Sequence, residues 1–266
     1  MTDSTNPFDD EATAAAFADD HYRFVRGRVR TTLIDRQLAL HLPASGRPLE
    51  VVDIGGGSGQ QSIPLAERGH HVTIADPSSA MLAKARARLA TLPADVGERV
   101  ELVECRADGA PAFLGRDRFD VVLCHGVLLY LPAAPTLAAL VALAAPGGLL
   151  SVVTSNRRAL ALRPGLAAQW AEALRGFDEP TYRNGLGIDA RADDPDDIAA
   201  QLADLGAETL AWYGMRLFTD PLRSDAGLLA APDAFDQILT VEWEAGRRDP
   251  YRQLCRLFHL VALAAN

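Results

Sequence analysis

The segment Asp53–Gly59, with the sequence DIGGGSG, combines residue types and a spacing that suit a ligand-binding turn. It overlaps the end of the apolar run Leu49–Ile54, which indicates a short strand. Glycine lets the backbone approach a ligand closely, because it has no Cβ and positive φ angles cost it little. The spacing is G-x-G-x-G from Gly55, and Gln60 stands where a dinucleotide fingerprint needs its third glycine. The loop therefore suits an adenosyl ligand that carries an amino-acid tail and no pyrophosphate.

An acid follows this loop at the distance that a nucleoside ligand requires. Asp76 ends the next apolar run, 21 residues after Gly55, where a carboxylate can accept hydrogen bonds from both ribose hydroxyls. The alternative is structural, since the glycines can simply make a tight turn while Asp76-Pro-Ser-Ser caps the next helix. The loop, the acid and the strand context together favour a nucleoside-type ligand.

The elements that position these residues alternate between strand and helix. Apolar runs predict five strands, at Leu49–Ile54, His71–Ala75, Val100–Cys105, Asp120–His125 and Leu149–Thr154. Helical patterns between them cover Gln60–Arg68, Ser79–Leu92 and Thr136–Ala145. Short strands separated by helices imply parallel pairing with right-handed crossovers. The sequence therefore predicts a doubly wound α/β sheet.

The flanking regions are predicted to add helices and two late strands. His21–Leu42 and Pro195–Leu205 have helical patterns, and Arg157–Tyr182 is interpreted as a helical excursion. Thr209–Phe218 and Leu257–Ala264 are apolar and predict strands separated by a helical insertion. If these two strands pair as a hairpin, the sheet ends in an antiparallel edge.

Composition excludes several classes of protein. The chain has 266 residues, of which 48% are apolar, so it can bury a substantial core. Its apolar stretch Leu137–Leu150 is interrupted by Pro146-Gly147-Gly148, and the polar N-terminus shows no secretory signal, so a cytoplasmic enzyme is expected. Cys105, Cys124 and Cys255 form no C-x-x-C pair, and no metal site is expected. A net charge of −9 argues against broad contact with nucleic acid but leaves room for a local basic groove.

Five motifs in one order make the region 47–156 resemble the class I S-adenosylmethionine-dependent methyltransferases. They are DIGGGSG at 53–59, the acid of IADPS at Asp76, ECRADG at 104–109, FDVVLCHGVLLYL at 119–131 and PGGLLSVVTSN at 146–156. The resemblance implies S-adenosylmethionine as the cofactor. It also implies a mostly parallel seven-stranded sheet with a C-terminal antiparallel strand and helical additions.

The resemblance also assigns roles to individual residues. Asp108 takes the position that meets the adenine amino group, and His125 lies beside the transferred methyl group. Gly55, Gly57 and Asp76 take the cofactor roles of the loop and the ribose-binding acid. The full set implied for the cofactor is Arg30, Asp53, Gly55, Gly56, Gly57, Asp76, Pro77, Ala107, Asp108 and His125.

Short motifs outside this region resemble a narrower family, the tRNA 5-carboxymethoxyuridine methyltransferases, which esterify the carboxylate of a modified wobble uridine. The motifs are Phe8-Asp9-Asp10, Tyr22, Arg30, AERGHHV at 66–72, GMRLFTD at 214–220, DPY at 249–251 and CRLFH at 255–259. The resemblance implies that Arg30 contacts the cofactor, at its carboxylate. We divide the chain into an N-terminal helical cap over the cofactor site (1–46) and a methyltransferase domain (47–266). Helical insertions are expected near 157–195 and 221–250.

Methyl transfer from a sulfonium is an in-line displacement, so alignment of the reacting groups is the main requirement. A carboxylate acceptor is already anionic and needs no base, whereas a hydroxyl or amine acceptor needs one, with His125 or His259 as candidates. A carboxylate needs orientation by cations, and Arg216 and Arg256 are the candidates for that clamp.

Three hypotheses follow. The first is a methyltransferase that forms a methyl ester on a tRNA anticodon arm. The second is a similar enzyme that acts on the carboxylate or hydroxyl of a small molecule, which the acidic charge favours. The third is a noncatalytic protein that binds S-adenosylmethionine.

Overall fold

Seven strands form one sheet in a computed structural model that describes residues 24–185, 187–222, 227–229 and 231–265. The order across the sheet is β3-β2-β1-β4-β5-β9-β8. These strands are β1 (Glu50–Ile54), β2 (His71–Asp76), β3 (Val100–Glu104), β4 (Phe119–His125), β5 (Ala144–Ser155), β8 (Glu208–Met215) and β9 (Leu257–Leu263). A separate two-stranded hairpin consists of β6 (Thr181–Arg183) and β7 (Asp189–Arg191).

The five strands predicted from the apolar runs are all present and are parallel to one another. β1 lies between β2 and β4 and pairs in parallel with both. The carboxyl ends of these three strands therefore lie at the same edge of the sheet. The chain order reverses between β1 and β4, which is the position where doubly wound sheets open a crevice for ligands.

The two late strands β8 and β9 pair with each other in antiparallel fashion, as predicted, and the C-terminal strand β9 is the inner of the two. It pairs with β5 on one side and with β8 on the other, so β8 is the edge strand. The burial of the two strands explains this order. All five central residues of β9 are buried, whereas β8 is partly exposed along its first five residues.

Helices cover both faces of the sheet. Their bounds are α1 (Val25–Ala39), α2 (Ile63–Glu67), α3 (Ser79–Leu89), α4 (Ala94–Gly97), α5 (Ala110–Leu114), α6 (Ala133–Leu143), α7 (Leu162–Leu166), α8 (Trp170–Asp178), α9 (Pro195–Asp204) and α10 (Ala234–Ala245). Side-chain caps fix some of their starts. Ser78 accepts a hydrogen bond from the backbone N–H of Met81 at the start of α3, and Asp194 accepts one from Asp196 at the start of α9.

The core consists of two main clusters, one on each face of the sheet. Val52 and Ile54 of β1 belong to one cluster and Val51 to the other, because successive side chains of a strand point to opposite faces. Phe119 and Phe258 are fully buried members of the first cluster. The two clusters hold β1 rigidly, and the glycine loop begins where this strand ends.

The predicted helical excursion over Arg157–Tyr182 is present as several short helical segments, and it ends in a strand rather than in a helix. The structure has a 3-10 turn at Arg157–Ala159, the separate helices α7 and α8, and then strand β6. Pro164-Gly165 lies inside α7, and Ala168 adopts a positive φ of 57° between the two helices. The left-handed backbone conformation of Ala168 interrupts the hydrogen-bonding pattern of a right-handed helix, so α7 and α8 are separate helices.

Two predictions at the ends of the chain are covered only in part. The N-terminal region 1–46 contributes α1, and its first 23 residues, with Phe8 and Tyr22, lie outside the described residues. The insertion near 221–250 contributes α10, with residues 223–226 and 230 outside the description. Within the described ranges, no helix combines the length and apolarity needed to cross a membrane.

Candidate active site

A cavity of about 450 Å³ opens at the carboxyl ends of β1, β2 and β4. It lies where the order of the strands predicts a ligand-binding crevice. All ten residues expected to hold the cofactor line its wall, from Arg30 on α1 to His125 at the end of β4. Sequence motifs that are far apart along the chain therefore converge on one concave surface.

The glycine loop forms the floor of the cavity. The backbone N–H of Gly55 donates to the carbonyl of Ala75 over 2.7 Å, which ties the loop to the end of β2. Gly55 has a φ of +68°, and a Cβ at this position would overlap Cγ2 of Val127. Only glycine meets both requirements, the left-handed backbone and the close approach of the facing wall.

Asp76 is held by two backbone N–H groups. Its Oδ2 accepts from Gly57 over 3.0 Å, and its Oδ1 accepts from Ser78 over 2.8 Å. Both bonds leave further lone pairs on a carboxylate, which can accept two hydroxyl groups from the cavity side. The structural alternative and the ligand-binding one are thus compatible, because Asp76 braces the turn and also lines the cavity.

A second acid, Asp53, lies beneath the loop. Burial raises the pKa of its carboxyl group to about 7, and the nearby charge of Asp76 adds to the rise, while Arg30 opposes it. A carboxyl group in this state changes its charge near neutral pH. Asp53 therefore gives the cavity a titratable group whose ionisation a cationic ligand would favour.

Arg30 supplies a positive charge at the cavity wall. It is only 6% exposed, and among the described residues it makes no ion pair and no side-chain hydrogen bond. A guanidinium group carries five N–H donors and keeps its charge at all physiological pH values. A buried arginine with those donors facing a cavity is arranged for an anionic group of a ligand.

His125 connects the wall to a hydrogen-bonded network behind it. Its Nε2 lies 2.8 Å from Oγ of Ser151, which lies 2.8 Å from Nε2 of His259. Nδ1 of His259 lies 2.9 Å from Oε1 of Gln37. Burial lowers the pKa of His125 well below its usual range and lowers that of His259 to about 3. Both imidazoles are therefore neutral at physiological pH, and His259 lies behind the wall rather than on it.

The two arginines expected to clamp an acceptor carboxylate, Arg216 and Arg256, do not line this cavity. Arg216 forms an ion pair with Asp220, and Arg256 lies over the ring of Tyr182 at 4.2 Å. Both border a second, much smaller cleft together with Arg163. The register of β8 and β9 explains this placement, because both arginines lie just beyond the paired residues Met215 and Leu257.

Asp108 lines the cavity, but its side chain is 65% exposed and pairs with Arg106 over 3.3 Å. Its assigned contact with adenine remains a prediction.

Sequence reasoning missed two parts of the cavity wall: Arg106, and most of the segment after β4, where the motif was recognised but its residues were not assigned to the site. The wall residues in the segment after β4 are Gly126, Val127, Tyr130, Leu131, Pro132, Pro135 and Thr136. Tyr130 is fixed by a hydrogen bond of 2.8 Å from Asn184 in the β6–β7 loop, and no local pattern indicates that contact.

The wall fits S-adenosylmethionine in the chemistry of its groups. Asp76 offers acceptors for ribose hydroxyls, Arg30 offers donors for a carboxylate, and the glycine loop allows close approach. Among the described residues, no group of three or more His, Cys, Asp or Glu side chains is arranged to hold a metal ion.

Comparisons with known proteins agree with this fit. Residues 52–150 match the family described as a methyltransferase domain. The tRNA 5-carboxymethoxyuridine methyltransferase of Escherichia coli O157:H7 is 30% identical over 258 residues, which cover 96% of this chain and 95% of that protein. The ubiquinone biosynthesis O-methyltransferase of Stutzerimonas stutzeri (strain A1501) is 35% identical, but over only 44% of this chain and 48% of its own.

A solved structure has the same fold. The crystal structure of magnesium protoporphyrin IX methyltransferase from Synechocystis PCC 6803 with bound S-adenosylmethionine is 18% identical. It superimposes with a TM-score of 0.58 over 99% of this chain and 100% of that one. The protein is thus an S-adenosylmethionine-dependent methyltransferase of class I, and it belongs to the family that includes the tRNA 5-carboxymethoxyuridine methyltransferases of Escherichia coli.

Proposed function

We propose that the enzyme transfers the methyl group to the carboxylate of a 5-carboxymethoxyuridine at the wobble position of tRNA, forming a methyl ester. The observation that carries this proposal is the end-to-end similarity to the Escherichia coli enzyme of that name, which covers 95% of that protein. The similarity includes the C-terminal strands and insertions, whereas the ubiquinone O-methyltransferase match covers less than half of either chain. A tRNA substrate would place the enzyme in the cytoplasm.

The wall chemistry suits a carboxylate acceptor. When bound, S-adenosylmethionine supplies the methyl group, which forms a bond to the acceptor oxygen as the bond to sulfur breaks and sulfur keeps the electron pair. No residue of the chain has to remove a proton, because the acceptor is anionic at neutral pH. A reaction that needs no general base is consistent with His125, because burial holds the pKa of its imidazole well below the range that suits a base near pH 7.

Apolar residues after β4 favour the methyl transfer by excluding water from the cavity. Val127, Leu131 and Pro132 line the cavity. An anion and a cation react to give two neutral products, so a wall that excludes water favours the loss of charge. We assign the cofactor to the floor formed by Gly55–Gly57, with Asp76 at the ribose and Arg30 at the carboxylate of its amino-acid tail.

A small-molecule acceptor is the second candidate. The apolar residues that line the cavity suit a small acceptor. The net charge of −9 also favours it, because a large polyanion such as tRNA gains little from an acidic surface. Mass spectrometry of tRNA nucleosides from the parent organism and from a strain lacking this gene separates the two. The proposal predicts that the deletion strain accumulates the free carboxymethoxy nucleoside and that a plasmid copy restores the ester. An unchanged nucleoside profile would remove the tRNA substrate and leave the small-molecule acceptor.

A further inference from the structure

Helix α1 carries two buried polar side chains on one face, Arg30 and Gln37. Arg30 is 6% exposed and Gln37 is 1% exposed. A separation of seven residues is about two helical turns, so the two side chains project from the same face, roughly 10 Å apart along the axis. The guanidinium group of Arg30 lies at the cavity, where a Cβ placed on Gly126, just after β4, would be 3.5 Å from its Nη2. Arg30 therefore marks the cavity end of this span, and Gln37 the interior end.

Gln37 is hydrogen-bonded to His259 of β9. Oε1 of Gln37 lies 2.9 Å from Nδ1 of His259, and Nε2 of the same ring lies 2.8 Å from Oγ of Ser151. Burial lowers the pKa of His259 to about 3, so the ring is neutral and carries one hydrogen atom. Because an amide oxygen can only accept, that hydrogen atom is on Nδ1 and is donated to Gln37. Both ring nitrogens of His259 are thus used by bonds within the fold.

The bond to His259 differs in kind from most of the contact between α1 and the rest of the protein. That contact is an apolar cluster to which α1 contributes Val25, Val29, Leu33 and Ile34. Burial of apolar surface is non-directional, whereas a hydrogen bond between buried groups favours one distance and one angle. Gln61 also donates to the carbonyl of Thr31 on α1, but over 3.4 Å, which is a weaker bond. Gln37 and His259 therefore supply the better directional restraint on the rotation and axial position of α1.

We propose that Gln37 and His259 are positioning residues that fix α1 so that the guanidinium group of Arg30 faces the amino-acid tail of the cofactor. A helix is stiff over two turns, so a displacement near Gln37 is carried to Arg30. Small errors in the placement of a binding group can cost much of its effect. The inference rests on the assignment of Arg30 to the carboxylate of that tail, made with the proposed function, and it is independent of the methyl acceptor.

Two ligands that differ in the amino-acid tail report on the position of Arg30. S-adenosylhomocysteine carries the carboxylate, and 5′-methylthioadenosine lacks the tail. Gln37→Met keeps an unbranched side chain of similar length but removes the acceptor, so it should weaken the first ligand about threefold to tenfold and leave the second within about twofold. Isothermal titration calorimetry measures both. Equal weakening of the two ligands, or no change in either, would contradict the positioning role.

The matched control for general destabilisation of α1 is Ile34→Val. It removes one buried methylene group from the same helix and leaves the bond to His259 in place. Ile34→Val should bind both ligands as the parent does. His259→Leu removes the bond from the other partner and should reproduce the selective loss, which keeps the proposal testable if Gln37→Met does not fold.

A double variant separates action through Arg30 from action by another route. Once Arg30→Met has removed the guanidinium group, adding Gln37→Met should weaken S-adenosylhomocysteine by less than about twofold more. Losses that multiply would overturn the proposal. Normal binding by Arg30→Met would remove the assignment of Arg30, and the inference with it. Weak binding by Arg30→Met together with normal binding by Gln37→Met and His259→Leu would remove the inference alone. Transfer of the methyl group to tRNA is measured separately, so a failure there is distinguishable from all of these results.

Discussion

Asp76 and Gly57 are joined by a hydrogen bond of 3.0 Å from the backbone N–H of the glycine to Oδ2 of the acid. The carboxylate expected to bind the ribose therefore also fixes the loop expected to lie against the rest of the cofactor. One side chain links the ends of β1 and β2 at the point where the cavity opens. Changes at Asp76 should affect binding through both the direct contact and the shape of the loop.

Asp76→Asn should lower the affinity for S-adenosylhomocysteine by about 10- to 100-fold. An amide offers one oxygen where the carboxylate accepts from two backbone N–H groups and the ribose, and bonds to charged groups contribute about 1.5–3 kcal/mol. Isothermal titration calorimetry measures the change. Asp95→Asn, an exposed acid on α4, is the control and should bind normally. Unchanged affinity in Asp76→Asn would refute the assignment to the ribose.

Arg30→Met should weaken S-adenosylhomocysteine about tenfold or more while leaving 5′-methylthioadenosine nearly unaffected. Methionine keeps the apolar stem but removes the charge that faces the cavity, and only the first ligand has a carboxylate for that charge. Arg28→Met, on the exposed side of α1 where Arg28 lies over Phe235 at 4.1 Å, serves as the control. If Arg30→Met weakens both ligands alike, the guanidinium group does not bind the amino-acid tail.

Asp53 should make the stability of the protein depend on pH in a characteristic direction. Its pKa is raised to about 7 in the folded state, so between about pH 4 and pH 7 the folded chain keeps a proton that the unfolded chain has lost. This group therefore lowers the free energy of unfolding as the pH rises through that window. Asp53→Asn should remove the contribution, so that its stability relative to the parent protein increases with pH by up to a few kcal/mol. Denaturant unfolding at pH 5 and pH 7.5 tests this, and a constant difference between the two proteins would count against the raised pKa.

Gly55→Ala should abolish cofactor binding and lower the free energy of unfolding by about 1–3 kcal/mol. The new Cβ meets Cγ2 of Val127, and alanine tolerates a φ of +68° poorly. Gly46→Ala, where a Cβ has open space, is the control and should fold and bind as the parent does. The double variant Gly55→Ala/Val127→Ala should recover part of the loss, since it relieves the overlap but not the backbone strain. Full binding by Gly55→Ala would show that the wall does not require this close approach.

The parallel half of the fold could be predicted from local pattern, while the site behind the cavity wall could not. The strands around β1 are short apolar runs bounded by turn residues, so their ends were predicted to within a few residues, except that β5 begins five residues earlier. The hydrogen bonds between Ser151, His259 and Gln37 depend on how β5, β9 and α1 align in three dimensions. No spacing along the chain records that alignment. The same reason explains Arg216 and Arg256, whose positions depend on where the β8–β9 pairing ends.

Methyl transfer to tRNA is the central claim, and the most direct measurement uses the purified enzyme with S-adenosylmethionine labelled in the methyl group. The substrate is tRNA isolated from a strain that lacks the enzyme. We expect label in the tRNA that mild alkali releases, because methyl esters hydrolyse under conditions that leave methyl ethers and methylamines intact. Label that resists alkali, or no label in tRNA while the enzyme still binds S-adenosylhomocysteine, would contradict the account.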